Sequence, residues 1–340
     1  MKRLLPISCV ILLFLATAFL MVNIYDKGKD QKPISSADVP QATIDWFDSI
    51  IDKGIDIVGR FRPDGIDSSE WARYENIDSM LRIEDDYFVI YYSRKDSADE
   101  HNKALVCQRY AHQAIPQGEQ LMKNYPYPNQ LNGRKLPIYL ANSDKSFQNI
   151  CLQLDHGTPN SLAIGLYCFR YGSGKVFTDG IIISPKAWTV REKKIRANTL
   201  DDDFRQVLWH EMNHFMYFTN WDFSQTSTPC LWFTEGLAEY FAGNYDRLRE
   251  VGNYSRLDLR DDFRGGGNTE YWAGLSAYLS LEEAFSAAAV SDVVVNSYTS
   301  SIDKSLKTAI PSYGGLSQWN KEWHQFMDAK EYIKYKENKR

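Results

Sequence analysis

The sequence predicts an α+β protein in which a mixed sheet with its helices comes first and an all-helical lobe follows. Three observations lead there. Short β-branched and aromatic runs, separated by turn residues, fall between Tyr87 and Ser184. Beyond Pro185 the apolar residues recur at helical spacing toward the end of the chain. The helix directly after the last strand holds His, Glu and His within five residues, so sheet and helical lobe meet at the most chemically loaded stretch.

The chain opens with Lys2 and Arg3 ahead of an apolar run from Leu4 to Val22. That run is long enough to cross a bilayer. No small-x-small cleavage site follows it directly, so residues 1–24 read as an uncleaved signal anchor. The positive residues before it predict a cytoplasmic N-terminus and a membrane-tied, extracytoplasmic body. A lipoprotein at Cys9 fits less well, because the apolar run continues past that cysteine. Residues 25–40 are charged, small or proline and read as a tether. Residues 41–84 read as a helical segment, with Ile44, Phe47, Ile50, Ile51, Ile55 and Val58 on one stripe. Its polar face carries four Asp against a single Lys, which suits core packing better than a membrane surface.

Residues 85–330 are expected to form one domain. Tyr87–Tyr92 is its first strand, and a helical pattern from about Ala98 to Tyr125 follows, with Pro116 expected to kink or divide it. Leu136–Ala141, Ser161–Tyr171 and Val176–Ser184 are the next strands, the last two joined as a hairpin by Gly172-Ser-Gly174. Helices are expected near 202–219, 230–249, 269–286, 291–308 and 315–328, and 331–340 reads as a charged tail. Asp201-Asp202-Asp203 offers an N-cap and first-turn negative charge to the first of these helices.

A composition of 44% hydrophobic and 14% aromatic residues supplies core enough for one large or two moderate domains. With a formal charge of −5 and a pI near 5.8 there is no basic stripe, so nucleic acid is not an expected partner. Nothing in the sequence sets the oligomeric state. Apart from Cys9 there are four cysteines, Cys107, Cys151, Cys168 and Cys230, in a chain expected to reach an oxidising compartment. One or two disulfides or four buried thiols both fit, and among the three pairings Cys151 with Cys168 closes the shortest loop.

His210 and His214 stand four apart on a helix, so both imidazoles project from one face with spacing suited to a single zinc ion. A structural zinc is closed by four protein ligands; two His and one more ligand leave a place for water. Glu235, 21 positions after His214, is the third candidate, since the intervening chain is long enough to send a second helix back alongside the first. Glu239, one turn further on, can support the free ring nitrogen of a ligating His, the alternative being a plain surface or core-edge carboxylate. Glu211 lies beside the metal position as the candidate general base. The remaining histidines, His101, His112, His156 and His324, have no metal-like spacing and read as structural or surface groups.

At His210-Glu-Met-Asn-His214 and Trp232-Phe-Thr-Glu235-Gly236-Leu-Ala238 the sequence resembles the gluzincin metallopeptidases, whose second motif runs Trp-x-x-Glu-Gly-x-Ala. The wording from Glu235 to Gly243 looks most like bacterial collagenases. The resemblance is close from about Phe204 to Tyr278 and loose elsewhere. It implies a zincin-like fold, one zinc ion held by His210, His214 and Glu235, and peptide-bond hydrolysis. In that clan the last strand lies at the sheet edge above the cleft, which makes Gly180, Ile181, Ile182, Ile183 and Ser184 the expected substrate-backbone strand; an ordinary interior strand is the other reading. Tyr271-Trp-Ala-Gly274 resembles the Tyr-x-x-Gly of gluzincin aminopeptidases, implying that Tyr271 steadies the oxyanion, whereas a packing tyrosine is the alternative. The chain lacks their Gly-x-Met-Glu-Asn motif, which tilts the expectation to an endopeptidase acting on a peptide or protein. A zinc hydrolase of another amide, or an envelope scaffold that keeps the metal site, are the rival expectations.

Overall fold

The structure is a computed structural model, and it describes residues 76–337 apart from 129, 132, 158, 160–162, 173–174, 190–199, 223, 227–228 and 262–267. The expected anchor, the tether and the stripe of 42–58 lie outside the described residues. Among the described residues no helix is long and apolar enough to cross a membrane.

The architecture is α+β. Five strands, β1 (Leu81–Glu84), β2 (Phe88–Tyr92), β3 (Leu136–Leu140), β4 (Gly165–Gly172) and β5 (Lys175–Ile183), form one mixed sheet in the order β1-β2-β3-β5-β4. The β1–β2 and β4–β5 pairs are antiparallel, whereas β2–β3 and β3–β5 are parallel. The parallel pairs need crossovers. Helix α1 (Ser97–Met122) joins β2 to β3, and α2 (Asp144–Gln153) lies on the way from β3 to the β4–β5 hairpin.

Side chains alternate across the sheet as strand geometry requires. Phe88, Ile90, Ile138, Ile181 and Ile183 enter the main core with α1 and α4 (Leu200–Asn220), while Tyr139, Ile182 and Cys168 pack with Phe147, Ile150 and Cys151 of α2 on the other face. After the short helix α3 (Lys186–Thr189) and α4 come α5 (Leu231–Ala242), a 3₁₀ turn at Tyr245–Glu250, α6 (Thr269–Ala284), α7 (Ala287–Ser297), α8 (Ile302–Ala309), α9 (Leu316–Asp328) and α10 (Tyr332–Glu337). Helix α6 is buried continuously from Trp272 to Leu281, the mark of a helix surrounded by others. Its neighbours satisfy their polar atoms on it. Trp319 Nε1 donates to the Ala277 carbonyl at 3.1 Å and Trp323 Nε1 to Ser276 Oγ at 2.9 Å.

Several sequence expectations need correction. Strand β5 is not at an edge: Ile181–Ile183 pair with Ile138–Leu140 on one side, and Gly180–Ile183 with Cys168–Gly165 on the other. Ser184 N–H donates to the Ile164 carbonyl. The backbone of Gly180, Ile181, Ile182, Ile183 and Ser184 is therefore engaged and cannot accept a further strand; the free edge on that side belongs to β4. Pro116 does not divide α1, because the surrounding Ala114, Ile115 and Gly118 are buried in packing that outweighs one missing N–H. Leu81–Glu84, expected within a helical segment, is a strand, and 144–153, to which the sequence assigned no element, is helix α2. The helix expected over 291–308 is two, parted where Ser301 caps α8 by accepting the Lys304 N–H. Helix α4 begins at Leu200, which puts the three aspartates in its first turn rather than before it. The expected tail contains α10, whose Tyr335 hydroxyl donates to Glu283. Cys107, Cys151, Cys168 and Cys230 are thiols, none of them joined in a disulfide.

One carboxylate ties the β1–β2 turn to α1. Asp85 accepts the N–H groups of Tyr87 at 2.7 Å and Phe88 at 2.9 Å, as well as Gln108 Nε2 at 2.6 Å, and meets His112 Nε2 at 2.8 Å. Partial burial works to raise its carboxyl, but these donors outweigh burial and hold it below the usual range. The contribution is therefore fully present above the ordinary carboxylate range and fades as the pH falls through the lowered value. Asp85→Asn is expected to cost about 1–3 kcal/mol at neutral pH, with the gap to wild type narrowing in strong acid, as read by denaturant unfolding.

Candidate metal centre

Helix α4 packs against the β4–β5 hairpin with Leu208, Met212 and Phe215 in the core, and it carries His210, Glu211 and His214. Helix α5 brings Glu235 to them. Its position is set by an unusually close crossing with α6: a Cβ on Gly236 would stand 2.4 Å from Gly274 Cα, and one on Gly274 would stand 2.1 Å from the Trp232 carbonyl oxygen. Only glycine at both places lets the two backbones touch. Glu235 adjoins the first glycine and Tyr271 lies one turn before the second, so the contact carries both residues to the site. Tyr278 Oη reinforces it by donating to the Phe233 carbonyl at 3.1 Å.

The candidate ligand atoms converge. His210 Nε2 lies 3.1 Å from Glu235 Oε2 and 3.1 Å from His214 Nε2, and His214 Nε2 is 3.4 Å from Glu235 Oε2. A tetrahedral zinc with arms of about 2.0–2.1 Å separates its ligands by about 3.3–3.4 Å, so this triangle matches one face of such a polyhedron. Two imidazole nitrogens and a carboxylate oxygen this close together could hold a metal ion. Burial works against a charged His210, yet the Glu235 contact and the Glu239 and Glu211 carboxylates raise it to about 9. Burial likewise works against ionised Glu235, but His214 and His210 hold it far below the carboxylate range. The residues present fit a divalent metal.

Glu211 is buried, which pushes its carboxyl upward against the pull of His210 and His214, and it accepts the backbone N–H of Tyr167 on β4. Gly165, also on β4, makes room for it: a Cβ there would sit 2.8 Å from Glu211 Oε1. Because the Ile164 carbonyl faces β5, strand alternation turns the Tyr167 peptide group outward to the open edge. Edge strand and candidate base are thus in direct contact.

Glu239 and Tyr271 both reach the site. Glu239 Oε1 is 3.5 Å from His210 Nδ1. The Tyr271 ring centroid is 5.9 Å from that of His210, and its phenol is pushed up by burial and then by the Glu235 and Glu211 charges. Tyr271 is thus on the side of its helix that faces the candidate ligands. The other histidines have structural partners, as expected: His101 with Tyr92, His112 with Asp85, His156 with Asp179, and His324 with the Leu257 carbonyl.

Sequence reasoning missed Gly165, Tyr167 and Arg247. Gly165 left a faint signal, since a glycine within a strand marks a close approach. Arg247, whose Nε donates to Glu239 Oε1 at 2.9 Å, left none. No family model matches the sequence, and no curated protein matches it.

Two outcomes are expected from this geometry. Metal analysis of the purified full chain should give one zinc, lost in folded His210→Ala and Glu235→Ala variants; full zinc retention by either would overturn the ligand assignment. Gly274→Ala forces the α5–α6 crossing apart and should cost at least the roughly 1–3 kcal/mol typical of overpacking, read as a lowered unfolding midpoint, with zinc retention weakened in parallel.

Proposed function

We propose that this chain is an exported zinc-dependent peptidase of gluzincin type, anchored by its N-terminal apolar run and acting as an endopeptidase. The observation that carries the reading is the convergence of His210 Nε2, His214 Nε2 and Glu235 Oε2 within 3.4 Å of one another, with Glu211 one residue from the first ligand. The layout around it supports a zincin-like arrangement: a mixed sheet with an antiparallel edge strand over the helix that bears both histidines, then a second helix with the third ligand.

Bound zinc supplies the Lewis acidity that lowers the pKa of a water and polarises a scissile carbonyl. The chain's own residues do the rest. Glu211, held by the Tyr167 N–H, takes a proton from the attacking water and returns one to the departing amine. Burial keeps the Tyr271 phenol protonated, so its hydroxyl can donate to the developing oxyanion. The outward edge of β4 is the place for an extended substrate backbone, paired as an added strand beside Glu211. That assigns to β4 the role first expected of 180–184. The missing Gly-x-Met-Glu-Asn motif leaves no substrate-amine anchor of the aminopeptidase kind, which favours internal cleavage.

The test is cleavage of a mixed peptide library by the purified full chain, with and without chelator. Glu211→Gln keeps shape and metal but removes the base, so turnover should fall by about 10²–10⁴-fold at unchanged zinc content; unchanged turnover contradicts the mechanism. Tyr271→Phe should lower kcat and kcat/KM together by about 10²–10³-fold. A silent Tyr271→Phe would make this a packing tyrosine.

A further inference from the structure

The candidate ligand histidines are not supported alike. His214 Nδ1 is buried and has no partner among the described residues, while His210 Nδ1 faces Glu239. Glu239 is itself almost wholly buried, and it does not stand alone. Arg247, on the 3₁₀ turn after α5, donates Nε to Glu239 Oε1 at 2.9 Å, the same oxygen that lies 3.5 Å from His210 Nδ1. The Arg247 guanidinium carbon lies 4.9 Å from the Tyr271 ring centroid, within cation–π range. Its remaining contact, from Nη1 to Glu250 at 3.4 Å, is longer and lies at the surface.

One planar cation thus touches both the carboxylate behind a candidate metal ligand and the ring that carries the candidate oxyanion donor. An ammonium could not do both, since the guanidinium combines directed N–H donors with a flat face.

We infer that Arg247 is a positioning residue of the metal centre, which holds the Glu239 carboxylate against His210 and the Tyr271 ring beside it, and so sets zinc affinity and transition-state stabilisation together. The inference rests on the zinc reading above and adds a residue eight positions beyond Glu239, outside both motifs. A purely structural arginine would pin the 3₁₀ turn to α5 and leave the bound metal unchanged.

Chelator competition on the purified full chain separates the two. Arg247→Met keeps the apolar stem but removes the donors and charge. Its zinc dissociation constant should rise by about 10–100-fold, the usual cost of losing support behind a metal ligand. Glu239→Gln should show a similar loss, and the double variant should lose little more than either single one, because both act through one contact. Glu250→Ala, which removes only the surface partner, should leave zinc affinity unchanged. On a cleaved peptide, Arg247→Met measured at saturating zinc should lower kcat with little change in KM. A folded Arg247→Met with wild-type zinc affinity and kcat overturns the inference while leaving the zinc reading intact, as does strict additivity with Glu239→Gln. If Arg247→Met does not fold, Arg247→Lys decides: it should bind zinc more weakly than wild type, and wild-type affinity overturns the inference. A wild-type chain that binds no zinc overturns the zinc reading and this inference with it.

Discussion

Backbone meets backbone where Gly236 of α5 crosses Gly274 of α6, and the geometry of the candidate site depends on that contact. Side chains on helices usually keep axes about 8–10 Å apart. Removing two Cβ atoms brings the helices closer, and the residues flanking the glycines then have fixed positions. Glu235 is delivered to the two histidines of α4, and Tyr271 comes to lie beside His210. The crossing sits in an apolar surround of Trp232, Phe233, Trp272, Tyr278 and Trp319, all buried, so neither helix can slide without opening a cavity.

That rigidity permits an otherwise costly concentration of charge. Three carboxylates and an arginine are gathered around two imidazoles in a largely buried volume, where an unpaired charge would cost several kcal/mol. Each group has an assigned counterpart: Glu211 meets the Tyr167 N–H, Glu239 meets Arg247, and Glu235 meets both imidazoles. The two Nε2 atoms and Glu235 Oε2 lie close enough together to hold a metal ion.

Much of this was legible in the sequence because it is local. The i, i+4 histidines, the Glu-Gly pair in the second turn of the return helix, and the Tyr-x-x-Gly of α6 are short patterns whose periodicity fixes a face. The sheet was legible strand by strand but not in its order. Nothing in Gly180-Ile-Ile-Ile-Ser184 tells an interior strand from an edge, and the three consecutive isoleucines are better explained by what the structure shows, a strand covered on both faces with partners on both sides. Strand β1 was missed because four residues are too few for a periodic signal. Arg247 was missed because its reach to Glu239 and Tyr271 runs through a turn rather than along a helix, so no spacing rule announces it.

The central claim is that His210, His214 and Glu235 enclose one zinc with a position left for water. Zinc K-edge X-ray absorption on the purified full chain tests it most directly. The expected spectrum has one nitrogen/oxygen shell at about 2.0–2.1 Å with the outer-shell scattering of two imidazoles and no sulfur, unchanged when Cys230 is replaced by Ser. A sulfur shell near about 2.3 Å, or a spectrum that survives His210→Ala, would contradict it.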